Sequence, residues 1–289
     1  MAVLGQGEPF EVLRAEFTHN PKYGYRVSNA LSARLIVADL YASVSSDEQQ
    51  LRYTRALSGI TFVDIRDMFS TIFDRLPLSL LDEGWFLRNL PRSRTSYDVL
   101  KRMMDIVLAF PLALVSLVLY PFVALAIKAD DGGPVFITQE RVGKGGKPLH
   151  IYKFRSMSES DVGNQVLKSK AHVTRVGSFL RKSRIDELPQ LWSVVKGDLS
   201  LVGPRPELPA LAAVYSKQIP HYDVRHVIKP GLSGWAQIYH EHHPHHGTAI
   251  HETKEKLSYD LFYIKNRSFI LDLKIALKTL KILVSFVGR

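Results

Sequence analysis

Two adjacent carboxylates, Asp186 and Glu187, stand in a run of cations, Arg181-Lys-Ser-Arg184-Ile-Asp186-Glu187-Leu-Pro189-Gln190, and Gly203-Pro204-Arg205-Pro206 follows shortly after. Carboxylates ringed by guanidinium groups suit phosphate chemistry. The acid holds a divalent metal or attacks phosphorus, while arginines grip phosphate oxygens in bidentate fashion. Neighbours on a helix diverge by about 100°, so this pair cannot face each other across a bond as glycosidase acids do. Divided labour fits better, one acid attacking or binding metal and the other orienting it. Ser183-x-x-Asp186 reads as a capping signal and Pro189 as a first-turn proline, which puts the dyad near a helix N-terminus. That end carries partial positive charge and free N–H groups for carboxylate and phosphate. A plain capping box is the alternative, but Arg181, Arg184 and Arg205 exceed what a cap requires. Arg205 is pinned between two prolines, which lowers the entropy lost on meeting a ligand; a rigid surface turn would look the same. Lys153 and Arg155 alternate with Tyr152 and Phe154, so a strand would put both cations on one face, solvated or functional.

The elements around this cluster are set by composition. Lys and Arg number 38 against 28 Asp and Glu, a formal charge of +10. Acidic partners follow: nucleic acid, anionic lipid or nucleotide sugars. The basic excess lies after about residue 98, so the partner meets the later part of the chain. With no cysteine there is neither a disulfide framework nor a Cys-based zinc site. The first residues lack the charged and apolar regions of a signal peptide, so no export is expected.

Residues 1–95 read as alternating strand and helix: strands at 34–39 and 59–64, helices at 47–57 and 65–73. No Gly-x-Gly-x-x-Gly follows a strand there, so nucleotide binding in this part is unsupported. Pro91-Arg-Ser-Arg-Thr-Ser96 is a polar, turn-rich join. After Lys101-Arg102-Met-Met-Asp105, the chain runs from Ile106 to Ile127 without a charged residue, long enough to cross a bilayer as a helix of about 20 residues. Basic residues flank both ends, so charge chooses no direction. Pro111 and Pro121 interrupt the run, and a helical proline kinks the axis. A helix bent at Phe110-Pro111 would enter one leaflet and return, with Lys101, Arg102 and Asp105 at headgroup level; a straight bitopic helix and a buried core helix are the alternatives. Residues 135–155 read as a hairpin around Gly143, Gly145 and Gly146. From Phe179 the chain is helical in two pieces, the second stopped by Gly197. Leu257 to Val287 reads as one lysine-rich amphipathic helix, suited to an anionic membrane surface or to packing on the core.

Taken together, these residues resemble the bacterial sugar transferases, the monotopic phosphoglycosyl transferases. The matching segments are Lys101-Arg-Met-Met-Asp105, Gln139-Glu-Arg141-Val-Gly, Tyr152-Lys-Phe-Arg-Ser-Met157, Asp186-Glu-Leu-Pro-Gln190, Gly197 through Pro206 and Lys229-Pro-Gly-Leu-Ser-Gly-Trp-Ala-Gln237. The resemblance covers about residue 98 to the end. It implies an α/β fold: an α+β-like transferase domain over 98–289 with one re-entrant membrane helix at 101–128, and a partial α/β accessory domain over 1–95. Larger members carry a transmembrane bundle ahead of that domain, so the chain is expected to be a truncated form, a fragment or an independent lineage.

The resemblance also implies transfer of a sugar-1-phosphate from a UDP-sugar to undecaprenyl phosphate, releasing UMP, in exopolysaccharide or O-antigen-type synthesis. Asp186 would be the nucleophile, forming an aspartyl-phosphosugar intermediate, and would bind Mg²⁺, with Glu187 supporting it. Arg141, Lys153, Arg155, Arg181 and Arg205 would bind substrate phosphates or nucleotide. The place of action would be the cytoplasmic face of the inner membrane, in contact with lipid. Relatives often have a small polar residue before the first helix proline, where this chain has Phe110-Pro111. The segment Lys256 to Asn266 is similar to that of members handling glucose or galactose. A catalytically silent membrane adaptor is the rival reading, and no nucleic-acid partner is expected. Self-association as a homo-oligomer is left open. Two signals stand aside: the cluster His240-Glu-His242-His243-Pro-His245-His246 with His251 reads as a loop, and Asp130-Asp131 before Gly132-Gly133-Pro134 reads as a turn.

Overall fold

A computed structural model describes residues 1–30, 32–90, 95–158, 172–239 and 250–284, and the chain divides into two units, Met1–Asn89 and Leu90–Arg289. The first unit holds a parallel sheet of β1 (Ala2–Leu4), β2 (Leu35–Ala38) and β3 (Thr61–Asp64), in that order. Val3 pairs with Val37, and Val37 with Val63. Helices α1 (Glu8–His19) and α2 (Ser46–Leu57) connect the strands, and α3 (Ile65–Phe73) and α4 (Glu83–Asn89) follow. Ser45 starts α2 by accepting from the Glu48 amide at 3.2 Å, a capping-box contact. Phe10, Leu13 and Phe17 of α1 pack with Val3, Val37 and Ile65 into the core. Neither β1 nor α1 was expected from the sequence.

The second unit opens with α5 (Thr95–Ser116) and α6 (Tyr120–Asp131). No single helix among the described residues is long and apolar enough to cross a membrane. This pair meets the requirement together, with a bend of 55° between its members. The bend is not at Pro111, which lies inside α5. It falls at residues 117–119, where successive amides bond three residues back: Leu117 to Leu114, Val118 to Val115 and Leu119 to Ser116. Pro121 lies in the first turn of α6, where its missing N–H costs nothing.

Ala109 and Ala113 are buried with Leu191 and Val194, while Val107, Val115, Phe122 and Leu125 are exposed. Lys101, Arg102 and Asp105, at the start of α5, each reach a protein partner. Lys101 pairs with the fully buried Asp272 at 3.0 Å. The Arg102 guanidinium donates to the Val194 and Val195 carbonyls at 2.6 Å each, and Asp105 accepts from the Leu201 amide at 3.1 Å.

β4 (Phe136–Val142) and β5 (Pro148–Phe154) form the expected antiparallel hairpin. Next come α7 (Arg175–Ser183), α8 (Gln190–Lys196) and β6 (Ser200–Val202), then α9 (Pro209–Gln218). β7 (Gly231–Ser233) pairs in parallel with β6 and leads into α10 (Trp235–Tyr239). Gly197, at φ 99°, ends α8 in the left-handed region, where glycine is favoured. The C-terminal stretch is two helices, α11 (Ile250–Asn266) and α12 (Phe269–Val284), where one was expected. Ser268 separates them: its hydroxyl accepts from the Leu271 amide at 3.2 Å and so starts α12.

Candidate active site

Thr174 starts α7 by accepting from the Gly177 amide at 2.9 Å, and Arg184, at φ 58°, ends it in the left-handed region. That reversal puts Ile185–Glu187 into one 3₁₀ turn, followed at once by α8. The capping signal read at Ser183 is corrected. Its hydroxyl donates backward to the Phe179 and Leu180 carbonyls at 2.8 and 3.2 Å, completing α7. The dyad still precedes a helix, but no side chain caps that helix.

The two carboxylates have different surroundings. Glu187 Oε1 accepts from the Arg205 guanidinium at 2.8 Å and lies 3.5 Å from Lys153 and 3.6 Å from Arg184. Three elements thus converge on it: the loop after β6, strand β5 and the end of α7. Burial alone would raise the Glu187 carboxyl, yet Arg205, then Lys153 and Arg184, hold it well below the usual range. Asp186 is 7 % exposed, and its Oδ1 has no hydrogen-bond partner among the described residues. Burial, then the neighbouring Glu187 charge, push its carboxyl up to about 6 against the pull of Lys153, Arg184 and Arg181. One acid is therefore saturated with cations and the other carries a buried oxygen with nothing on it.

Lys153 itself is pushed down by burial and by Arg205 and Arg141, with Glu187 opposing. Arg141, on β4, bonds Gln139 and donates to the Pro206 carbonyl at 3.2 Å, bracing the loop that carries Arg205. Arg181 is close enough to act on Asp186. Arg155 parts from Lys153: β5 ends at Phe154, and the Arg155 guanidinium pairs with Asp131 at the end of α6. Asp130 and Asp131 are the last helical residues rather than a turn, which begins at Gly132 with φ 72°. Asp130 accepts from the Val176 amide at 3.0 Å.

The loop from Gly203 to Pro206 is set by backbone proximity. Gly203 donates to Ser233, and Gly231 donates to Pro204, at 2.8 and 2.9 Å. A Cβ on Gly231 would lie 2.1 Å from the Gly203 nitrogen, so no other residue fits there. The sequence reading missed Arg225, which is buried and donates to the Arg205 carbonyl at 3.0 Å while pairing with buried Asp260 at 2.8 Å. Its contacts to Arg205 and Asp260 span 20 and 35 positions of the chain, so no local signal marks its role in the site. Most of the histidine cluster lies outside the described residues; His251 is exposed at the start of α11.

Among the described residues no three His, Cys, Asp or Glu side chains gather as a ready cage for a metal ion. A Mg²⁺ ion, however, is ordinarily held by one or two carboxylates together with substrate phosphates and water. Asp186, with its unpartnered oxygen, fits that mode, whereas Glu187 is already taken up by cations.

The family model described as bacterial sugar transferase matches residues 96–286. The chain is 38% identical over 257 residues to a UDP-N-acetylgalactosamine-undecaprenyl-phosphate N-acetylgalactosaminephosphotransferase of Aeromonas hydrophila, covering 88% of this chain and 59% of that relative. That match is longer than the family segment and takes in part of the first unit. A UDP-glucose:undecaprenyl-phosphate glucose-1-phosphate transferase of Caulobacter vibrioides is 40% identical over 199 residues, 68% of this chain and 73% of its own. The exopolysaccharide production protein PSS of Rhizobium leguminosarum bv. phaseoli is 38% identical over 188 residues, 63% and 93% of the two chains. With its family segment spanning most of the length, this chain belongs to the bacterial sugar transferases.

Proposed function

We propose that this protein transfers a sugar-1-phosphate from a UDP-sugar to undecaprenyl phosphate and releases UMP, in the synthesis of an exopolysaccharide or O-antigen-type glycan. The observation that carries this reading is the asymmetry of the dyad: Asp186 has a buried, unpartnered carboxylate oxygen beside a Glu187 held by Arg205, Lys153 and Arg184. The relatives described above suggest the donor and acceptor classes, UDP-sugars and undecaprenyl phosphate.

In the first step an Asp186 oxygen attacks the phosphorus that bears the sugar. The bond from that phosphorus to the oxygen bridging the two phosphates breaks, and UMP leaves with the electron pair. In the second step a phosphate oxygen of the acceptor attacks the same phosphorus and the Asp186 carboxylate departs. Glu187 holds Arg205 and Lys153 as a fixed pair of donors for the charge that builds on phosphoryl oxygens, and Arg181 adds a third cation. Asp186 is the residue that would hold Mg²⁺, and the ion would neutralise charge on the donor's diphosphate as UMP leaves.

The donor is read as UDP-glucose or UDP-galactose from the chain's own C-terminal segment, with UDP-N-acetylgalactosamine added by the Aeromonas relative. The bent pair α5–α6 supports a re-entrant anchor that keeps the site on the cytoplasmic face of the inner membrane. On α12, exposed Ile270, Leu273, Leu277 and Leu280 beside Lys274 and Lys278 suit the same surface. The test is UMP release from a panel of UDP-sugars with undecaprenyl phosphate and Mg²⁺. Release with one donor, abolished in Asp186→Asn, is expected. A folded, lipid-bound protein that releases UMP from no donor would instead be an adaptor.

A further inference from the structure

The loop that carries Arg205 leaves β6 at Val202, and side chains of α5, α11 and α12 hold the β6–β7 pair from which it hangs. Asp105 of α5 accepts from the Leu201 amide at 3.1 Å. The buried Tyr263 hydroxyl of α11 lies 3.3 Å from the Val202 carbonyl. On β7 the Ser233 hydroxyl meets the Thr279 hydroxyl of α12. Thr279 gives its own proton to the Ile275 carbonyl at 2.9 Å, so Ser233 is the donor in that pair. The Ser233 carbonyl in turn accepts from the amide of Gly203, the first residue of the loop, at 2.8 Å.

The three helices are joined at one carboxylate. Asp272, in the first turn of α12 and with no exposed surface, accepts from Tyr263 at 2.7 Å on one oxygen. Its other oxygen accepts from Tyr97 and Lys101 of α5 at 2.8 and 3.0 Å. Asp272, Ile275 and Thr279 stand at i, i+3 and i+7, the spacing of one helix face. Apolar residues of similar volume would seat α12 about as firmly as this buried polar set. What the set adds is direction, because a catalytic side chain must be held within about 0.5 Å of its productive place by the hydrogen bonds behind it. We propose that Asp272, Tyr263 and Thr279 are positioning residues for Arg205, setting the Gly203–Pro206 loop against the dyad from α11 and α12. The proposal rests on the reaction read above. Thr279 acts through Ser233, Tyr263 through the Val202 carbonyl and Asp272 through Tyr263. All three converge on the backbone of an arginine whose side chain donates to Glu187 at 2.8 Å.

Hydrogen–deuterium exchange on the full chain in nanodiscs reads the loop directly. The Gly203 and Gly231 amides should exchange roughly tenfold faster or more in Thr279→Val, Tyr263→Phe and Asp272→Asn, while the β4–β5 hairpin keeps its protection. Thr279→Ser, which keeps the hydroxyl, should exchange like the wild type. The kinetic reading is single-turnover UMP release from donor. Thr279→Val and Tyr263→Phe should slow it roughly tenfold, with the half-saturating donor concentration within about threefold of wild type, because misplacement acts on the transfer step. In an Arg205→Lys chain, where the positioned fork is already gone, the same substitutions should cost no more than about twofold. A general loosening of the fold would slow both chains alike. Unchanged exchange in all three variants, an equal rate loss in both backgrounds, or a Thr279→Ser chain as slow as Thr279→Val would overturn the proposal. Failure of the underlying reaction is seen separately: the wild type would then release no UMP from donor, while the exchange of the loop amides would still report whether α11 and α12 hold the loop.

Discussion

The buried guanidinium of Arg225 donates to the backbone carbonyl of Arg205 at 3.0 Å, and the Arg205 side chain in turn donates to Glu187 at 2.8 Å. One arginine thus holds another in place against the dyad. Arg225 is itself fixed by Asp260 at 2.8 Å and by the Tyr222 hydroxyl at 2.6 Å. Breaking a buried ion pair from one side costs about 3–5 kcal/mol because the remaining charge is left unpaired. Asp260→Ala should therefore lower unfolding stability by several kcal/mol, measured by thermal or denaturant unfolding in detergent. Arg225→Lys, which keeps the charge but not the fork, should cost less stability and lower kcat more than it raises donor KM.

Glu187→Gln is predicted to lower the rate of UMP release by at least about a hundredfold, the scale of losing a preorganised charge contact. The neutral side chain frees Arg205, Lys153 and Arg184 from their common anchor. Glu187→Asp should recover part of the loss, and single-turnover measurements with the donor alone would show it.

Acid should destabilise the fold through His226. Its Nε2 is buried without a partner among the described residues, and its Nδ1 lies 3.6 Å from Asp223. Burial, then the Arg225 charge, push the ring down to about 4, with Asp223 and Glu207 opposing. The unfolded chain takes up this proton near pH 6.5 and the folded chain only near 4. The contribution is complete above about pH 6.5 and fades as pH falls toward 4, a loss on the order of 3 kcal/mol. Unfolding curves between pH 7 and 4 should show that slope, and His226→Gln should flatten it.

Mg²⁺ should bind weakly to the protein alone and roughly tenfold or more tightly with a UDP-sugar present, since Asp186 offers one open carboxylate oxygen and the diphosphate completes the shell. Calorimetric titration with and without donor checks this, and Asp186→Asn should remove the donor-dependent gain.

Because the bend lies at residues 117–119, Pro111→Ala should leave the path of the helix pair unchanged. Single cysteines placed before Lys101 and after Lys128 in intact cells should react from the same side, in both the parent and the Pro111→Ala chain. Reaction from opposite sides would mean a straight crossing.

What could be read from the sequence was local. The β4–β5 hairpin follows from its turn glycines, the end of α8 from Gly197, and the crowding of arginines near Asp186 from adjacent positions. Misreadings came where distant partners decide. Ser183 looked like a cap, but Arg184 turning left-handed ends α7 there and sends the hydroxyl backward. The partners of Lys101, Arg102 and Asp105, namely Asp272, Val194 and Leu201, lie about 90 to 170 positions further on and could not be read from adjacent positions. Arg155 shared a strand pattern with Lys153, yet Asp131 claims it at the strand's end. Nothing in the periodicity of residues 257–287 announces the break that Ser268 makes.

The central claim is that Asp186 carries the phosphosugar. Incubating the wild-type protein with Mg²⁺ and the active UDP-sugar, without acceptor, tests it most directly. UMP should appear in one burst stoichiometric with protein, and peptide mass spectrometry of the quenched sample should find the sugar-phosphate mass on Asp186, discharged when undecaprenyl phosphate is added. Turnover without a burst, or with undiminished rate in Asp186→Asn, would contradict the account and assign the reaction to a direct transfer between the two substrates.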